Sequence, residues 1–190
     1  GDIGFITPLQ IVYPFENAAY NTAVGSVSKP FKTIFGYHII KKLDERAARG
    51  EIQVSQILVN VKKSGGMEAD KAGKDRIDSV AMLLKKGQSF ESMVEKYSDD
   101  KFSLNSKGVL ASFGVGQMLP NFEDAAFALK KPGDVSEPLR TEYGYHLIKL
   151  IKKTPLKPYD SVKVDLAKRV EKDSRTDIAR IEYTEKVKAK

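Results

Sequence analysis

Hydrophobic and polar positions alternate most clearly over residues 51–61, EIQVSQILVNV. Ile52, Val54 and Leu58 fall on one face, and Ile57, Val59 and Val61 on the other. Period-two alternation rich in β-branched residues predicts a strand buried on both sides. The spacing changes after it. Ile77, Val80, Ala81 and Leu84 recur three and four apart, which predicts a helix from Asp75 to Lys86, stopped by Gly87. Ser89 is placed to cap a second helix whose buried stripe is Phe90, Met93, Val94 and Tyr97. Between strand and helix, Lys62 to Lys74 is rich in Gly and Lys and reads as a mobile loop. A strand over Gly108–Phe113 follows, then a short helix over Asn121–Leu129. The last strands are expected over Val135–Leu139 and Gly144–Lys152. The order β-α-α-β-α-β-β predicts an α+β domain with a mostly antiparallel four-stranded sheet flanked by helices.

The pattern of residues 113–150 occurs a second time. At an offset of 107, Gly1, Gln10, Phe15, Glu16, Ala18 and Ala19 fall on Gly108, Gln117, Phe122, Glu123, Ala125 and Ala126. At an offset of 108, Gly25, Val27, Ser28, Pro30, Thr33, Gly36, Tyr37, His38, Ile40 and Lys41 fall on their counterparts up to Lys149. So many identities in register mark a duplicated module. Within the first copy, Gly1–Ile6 reads as a strand end, Phe15–Tyr20 as a short helix and Gly36–Leu43 as a strand. Three segments result: 1–45 as the second half of a first domain, 51–153 as a complete domain, and 154–190 as a linker with a C-terminal helix. That helix is expected from Asp160 or Ser161 towards Lys188, with a break at 173–176. The first copy lacks an upstream strand and helices, so the sequence reads as a piece of a longer protein. An unpaired sheet edge there invites pairing with another chain or with the second domain.

Composition narrows the chemistry. Cys is absent and the only two His residues are equivalents in the repeat, so neither thiolate chemistry nor a His-rich metal site fits, and no cofactor is called for. No run of apolar residues reaches the length of a membrane span. The net charge of +7 comes from lysines interleaved with acids. It reads as a solvated surface and not as a nucleic-acid footprint.

Taken together, VSQILVNVK, YSDD, GQMLPNFEDAAFAL and KPGDVSEPLRTEYGYHLIKL, in that order, resemble the parvulin (rotamase, PpiC-type) family of peptidyl-prolyl cis-trans isomerases. The resemblance covers residues 51–152 fully and residues 1–42 as the second half of another such domain. It implies non-covalent rotation of X-Pro bonds, without cofactor or metal, in unfolded or proline-containing polypeptide clients. The layout is similar to bacterial envelope foldases, which implies a periplasmic or envelope location. The resemblance points to Leu110, Met118 and Phe122, with Gln117, for substrate binding. It points to Asp100, Thr141 and His146 for the polar cluster.

Each of these residues also has a plainer reading. Leu110, Met118 and Phe122 can be core, as apolar residues usually are. Asp100 can face the substrate carbonyl or simply orient His146. His146 can act directly or can hold the sheet together through hydrogen bonds; its repetition as His38 supports the second. One departure stands out: Gln56 lies where the family usually carries His. Glutamine donates and accepts but does not titrate. The domain is therefore either an active isomerase or a catalytically weak peptide-binding chaperone module.

Overall fold

The computed structural model describes residues 1–189. It comprises two compact units. Residues 49–156 form one; residues 1–48, together with the segment from Lys157 onward, form the other.

The sheet of the 49–156 unit grows from its longest apolar run. Strand β3, Glu51–Asn60, pairs antiparallel with β5, Gly144–Thr154, in a register that sets Ile57 against Leu147 and Leu58 against His146. The hairpin partner β4, Leu139–Thr141, lies on the other side of β5, with Leu139 opposite His146. Strand order is therefore β3-β5-β4. The expected fourth strand, Gly108–Phe113, is reduced to two isolated bridges to β3, Ile52 with Phe113 and Ser55 with Val109. Val135–Leu139 likewise contributes one bridge, Val135 with Lys149, before β4 begins at Leu139.

The two-sided alternation of β3 seats a layer on each face of the sheet. On one side Ile57, Val59, Val61, Tyr145 and Leu147 pack with Ile77, Val80, Phe90, Met93 and Val94. These last five belong to helices α2, Gly66–Lys85, and α3, Phe90–Tyr97. On the other side Ile52, Val54, Ile148 and Leu150 pack with Phe113, Phe122, Ala126 and Phe127. Phe122, Ala126 and Phe127 come from α4, Pro120–Ala128. Ser89 caps α3 as expected, accepting from the Ser92 N–H at 3.2 Å.

Helix α2 corrects the sequence reading most. It begins at Gly66, so most of the stretch expected to be a mobile loop is helical. The glycines that suggested flexibility include Gly73, which is buried, and a Cβ there would collide with the Val61 side chain. Gly73 is a close-approach position where helix meets sheet. Asp70 on the same helix accepts from the Tyr145 hydroxyl at 2.9 Å and pairs with Arg140 at 2.7 Å.

In the other unit, α1 spans Tyr13–Asn21, and strands β1, Phe31–Thr33, and β2, Gly36–His38, form a hairpin. Gly1–Ile6, expected as a strand end, has no strand partner and is irregular. The C-terminal segment is two helices, α5, Tyr159–Glu171, and α6, Ser174–Lys188. Neither Asp160 nor Ser161 caps α5, which starts after Pro158 without a side-chain cap. The break at 173 is a fresh helix start: Asp173 caps α6 by accepting from the Arg175 N–H at 3.0 Å.

Within this unit α6 is tied to the first copy of the repeat. Arg175 pairs with the buried Glu16 at 3.0 Å and lies over the Tyr13 ring. Among the described residues no helix is long and apolar enough to cross a membrane.

Candidate active site

Four polar side chains converge on the α4 face of the sheet. Gln56 comes from β3, Thr141 from β4 and His146 from β5. Asp100 comes from the turn that follows α3. The antiparallel register brings Gln56 and His146 together, since both face α4 two residues apart across the ladder. His146 Nδ1 lies 3.1 Å from Gln56 Oε1, and its Nε2 lies 2.7 Å from Thr141 Oγ1. Gln56 Nε2 donates to Asp100 Oδ2 at 2.8 Å. The result is one continuous chain, Thr141–His146–Gln56–Asp100.

The cluster is buried, and burial sets its electrostatics. His146 is only 4% exposed, and its pKa falls to about 4. Desolvation of the imidazolium is the main cause; the Asp100 charge opposes the fall and Arg140 adds to it. At neutral pH the ring is therefore neutral. For Asp100 the largest influence is also burial, which pushes its pKa up. Hydrogen bonds from Ser103, Gln56 and the Phe102 and Ser103 backbone N–H groups outweigh it and hold the carboxyl below the usual carboxylate range.

The apolar side of the site is built by α4 and the segment before it. The Phe122 ring meets the His146 ring edge-on, with centroids 5.4 Å apart. Phe122 is itself buried, whereas Leu110 and Met118 pack against the same cluster and remain partly open. The open apolar surface is thus offered by Leu110 and Met118, with Phe122 as its floor against the imidazole. Gln117, expected to bind substrate, has its amide oxygen engaged by the Gly114 N–H at 3.0 Å. It fixes the Gly-rich turn from an exposed position.

Ser103 was not singled out from the sequence. It is buried and donates to Asp100 Oδ2 at 2.5 Å. The signal was present: a Ser three residues after an Asp in a turn is placed for a local side-chain bond. The Tyr143 N–H, which donates to Thr141 Oγ1 at 3.2 Å, extends the chain by one more donor. No residue pattern reports it, because it comes from the backbone of the β4–β5 turn.

Comparisons with known proteins identify the family. The family model described as rotamase, PPIC-type PPIase domain, matches residues 1–44 and 57–152. The chaperone SurA of Chromohalobacter salexigens is 32% identical over 158 residues, covering 79% of this chain and 35% of the relative. The foldase protein PrsA 4 of Bacillus cereus is 37% identical over 127 residues, covering 67% of this chain and 41% of the relative. Among solved structures, the Bacillus cereus peptidylprolyl isomerase PrsA shares 36% identity at a TM-score of 0.50, over 65% of this chain and 43% of that one. The chain thus spans less than half the length of these relatives. With both copies of its repeat matched, the chain belongs to the rotamase family of PPIC-type peptidyl-prolyl isomerase domains.

Proposed function

We propose that the 49–156 unit catalyses cis-trans rotation about X-Pro bonds in polypeptide clients, and so assists the folding of proteins of the bacterial envelope or periplasm. The observation that carries this reading is the buried chain Thr141–His146–Gln56–Asp100 set beside the open apolar surface of Leu110 and Met118. Uncatalysed rotation crosses ~18–20 kcal/mol because the planar amide is resonance-stabilised. No nucleophile or metal is required to lower that barrier. A dry surface that grips the proline ring, next to a fixed negative charge and fixed dipoles, favours the twisted amide over the planar one. Leu110, Met118 and the Phe122 floor supply the surface. The Asp100 carboxylate supplies the charge. His146, neutral and locked between two partners, supplies a fixed dipole. The names of the relatives, a chaperone and a foldase, support polypeptide clients, and the envelope setting rests on the resemblance in layout to bacterial envelope foldases.

A protease-coupled assay on X-Pro tetrapeptides tests this. The wild-type chain is expected to exceed the uncatalysed rate. Met118→Ala and Asp100→Ala are each expected to lower kcat/KM about tenfold, equivalent to about 1.4 kcal/mol. A wild-type rate no faster than the uncatalysed one sinks the enzyme reading.

Gln56 favours a second reading, a peptide-binding chaperone module of low turnover. In that case the chain suppresses aggregation of a proline-free client, and Met118→Ala leaves the suppression in place. We also propose self-association through the first copy of the repeat, where Tyr37 and Ile39 are 78% and 63% exposed. Sedimentation that stays monomeric at high concentration rules this out.

A further inference from the structure

Gln56 has a role that follows from donor and acceptor arithmetic. Asp100 accepts from four donors: Ser103 Oγ and Gln56 Nε2 reach Oδ2, the Phe102 N–H reaches Oδ1, and the Ser103 N–H is the fourth. Only a carboxylate is satisfied by four donors and no acceptor. The Gln56 amide is therefore oriented, since turning it over would aim its oxygen at Asp100. With the nitrogen on Asp100, the oxygen faces His146 Nδ1 at 3.1 Å. An amide oxygen only accepts, so Nδ1 carries the ring proton. Nε2 of the neutral ring is then the acceptor, and the Thr141 hydroxyl donates a hydrogen bond to it at 2.7 Å. Thr141 Oγ1 in turn accepts the Tyr143 N–H. Every hydrogen in the cluster points one way, from the β4–β5 turn to Asp100.

We infer that Gln56 is a positioning residue that locks His146 as the Nδ1–H tautomer and so makes the isomerase rate independent of pH through the neutral range. This rests on the isomerase reading for the rate, but not for the tautomer. A titratable side chain at position 56 would let the chain of bonds reverse, since either end could then hold the proton. Glutamine cannot exchange a proton, so reversal would require breaking both of its bonds inside a buried site. The charged groups acting on His146 are Asp100, from the turn after α3, and Arg140, from β4. Its other named neighbours, Gln56 on β3, Thr141 on β4 and Phe122 on α4, do not titrate in this range. Burial of the ring acts in the same direction, since it disfavours the imidazolium that reversal would pass through.

Nitrogen-15 NMR of the histidine rings in the full chain tests the tautomer without reference to activity. A His38→Asn variant assigns the His146 signals. The expected wild-type spectrum at pH 7 shows Nδ1 protonated and Nε2 bare. Gln56→Leu, which removes the acceptor, is expected to release the ring into a mixture of tautomers. Should that variant fail to fold, Gln56→Glu retains the acceptor and adds a charge, so His146 is expected to titrate at higher pH than in wild type. An Nε2–H ring or an imidazolium in the wild type overturns the inference. So does an unchanged tautomer in folded Gln56→Leu, or an unmoved titration in Gln56→Glu. For the rate, wild type is expected to vary less than twofold from pH 5.5 to 8.5, and Gln56→His more than threefold. A sloping wild-type profile, or a flat Gln56→His profile, overturns the rate claim. A wild type without catalysis sinks the isomerase reading and leaves the tautomer to the spectra.

Discussion

The Thr–His pair exists twice in this chain, and the two copies differ in instructive ways. Thr33 and His38 are 2.7 Å apart, as are Thr141 and His146. The hairpins share a register: Phe31 faces His38 as Leu139 faces His146. The aromatic neighbour is repeated too, with Phe15 edge-on to His38 at 5.6 Å and Phe122 edge-on to His146 at 5.4 Å. Further out, the Ser28 N–H donates to Ile40 O and the Ser136 N–H to Ile148 O, both at 2.8 Å. What differs is the cover. Tyr37 is 78% exposed and its counterpart Tyr145 is 8% exposed. Among the described residues only the second copy has β3, α2 and α3 on its hairpin, and only there does the histidine reach a glutamine and, through it, a carboxylate. The hairpin and its local hydrogen bonds are thus a self-sufficient unit of the sequence. The site is not, because it is completed by residues some 45 to 90 positions upstream.

The sharpest way to break this comparison is at the equivalent positions Leu147 and Ile39. Leu147 is fully buried in the layer under α2 and α3, whereas Ile39 is 63% exposed. Leu147→Ala is expected to cost about 4 kcal/mol, from lost transfer energy and the cavity left behind. Ile39→Ala is expected to change stability by less than about 0.5 kcal/mol. Urea unfolding followed by circular dichroism measures both. Equal losses would mean that the first copy is covered after all.

A second test uses the burial of His146. Its pKa is depressed to about 4 in the folded chain, against 6.5 for an ordinary histidine. Between these values the unfolded chain takes up a proton that the folded one does not. Stability is therefore full above pH 6.5, falls as pH is lowered towards 4, and levels off below that, by about 3 kcal/mol in all. Asp100, held below the usual carboxylate range, contributes stability that is lost only as pH falls through its own lowered value. Hydrogen exchange of β3 and β5 amides from pH 7 to 4, corrected for the intrinsic rate, is expected to show the loss. His146→Gln is expected to flatten the profile.

Third comes a feature the copies share. Glu123 accepts the Gly116 N–H at 2.7 Å and pairs with Arg49 at 3.1 Å; Glu16 accepts the Leu9 N–H at 2.7 Å and pairs with Arg175 at 3.0 Å. Both carboxylates are buried, and both arginines lie over an aromatic ring of their own unit, Phe127 and Tyr13. Glu123→Gln and Glu16→Gln are each expected to cost about 2 kcal/mol, the worth of charge-assisted bonds in a half-dry setting. Separate urea midpoints for the two units would read the two losses independently. A loss in only one of them would show that the clamp is not equivalent.

The arginine partners also show what the sequence could and could not reveal. The repeat made Glu16 and Glu123 equivalent by inspection, but Arg49 is the first residue of its unit, far from Glu123 in sequence, and Arg175 comes from the C-terminal segment. No periodicity links residues so far apart. The same limit applies to the site. Asp100, Thr141 and His146 were legible through the family resemblance, and Gln56 as a departure from it; strand alternation and register explain why Gln56 and His146 share a face. Ser103 and the Tyr143 N–H were not legible, because irregular turns place them. Helix α2 was shortened in the sequence reading because Gly73 weakens helix propensity as it permits close packing on Val61, and local pattern registers only the first effect.

The smallest expected effect concerns the turn before each short helix. Gly116 has φ +77° and its counterpart Leu9 has φ +66°, both left-handed. A side chain in this region costs roughly 1–2 kcal/mol, yet the first copy carries leucine there. The compensation lies in the backbone N–H, which both residues donate to the buried glutamate. That bond holds the turn in place whatever residue occupies it. Gly116→Leu is therefore expected to fold with the site intact and to lose about 1 kcal/mol, visible as a small fall in urea midpoint. Combined with Glu123→Leu, which removes the acceptor, the same substitution is expected to lose less than the sum of the two single changes, because the turn is no longer held and relaxes out of the left-handed region. A purely additive double variant would show that the turn is held by something other than the glutamate.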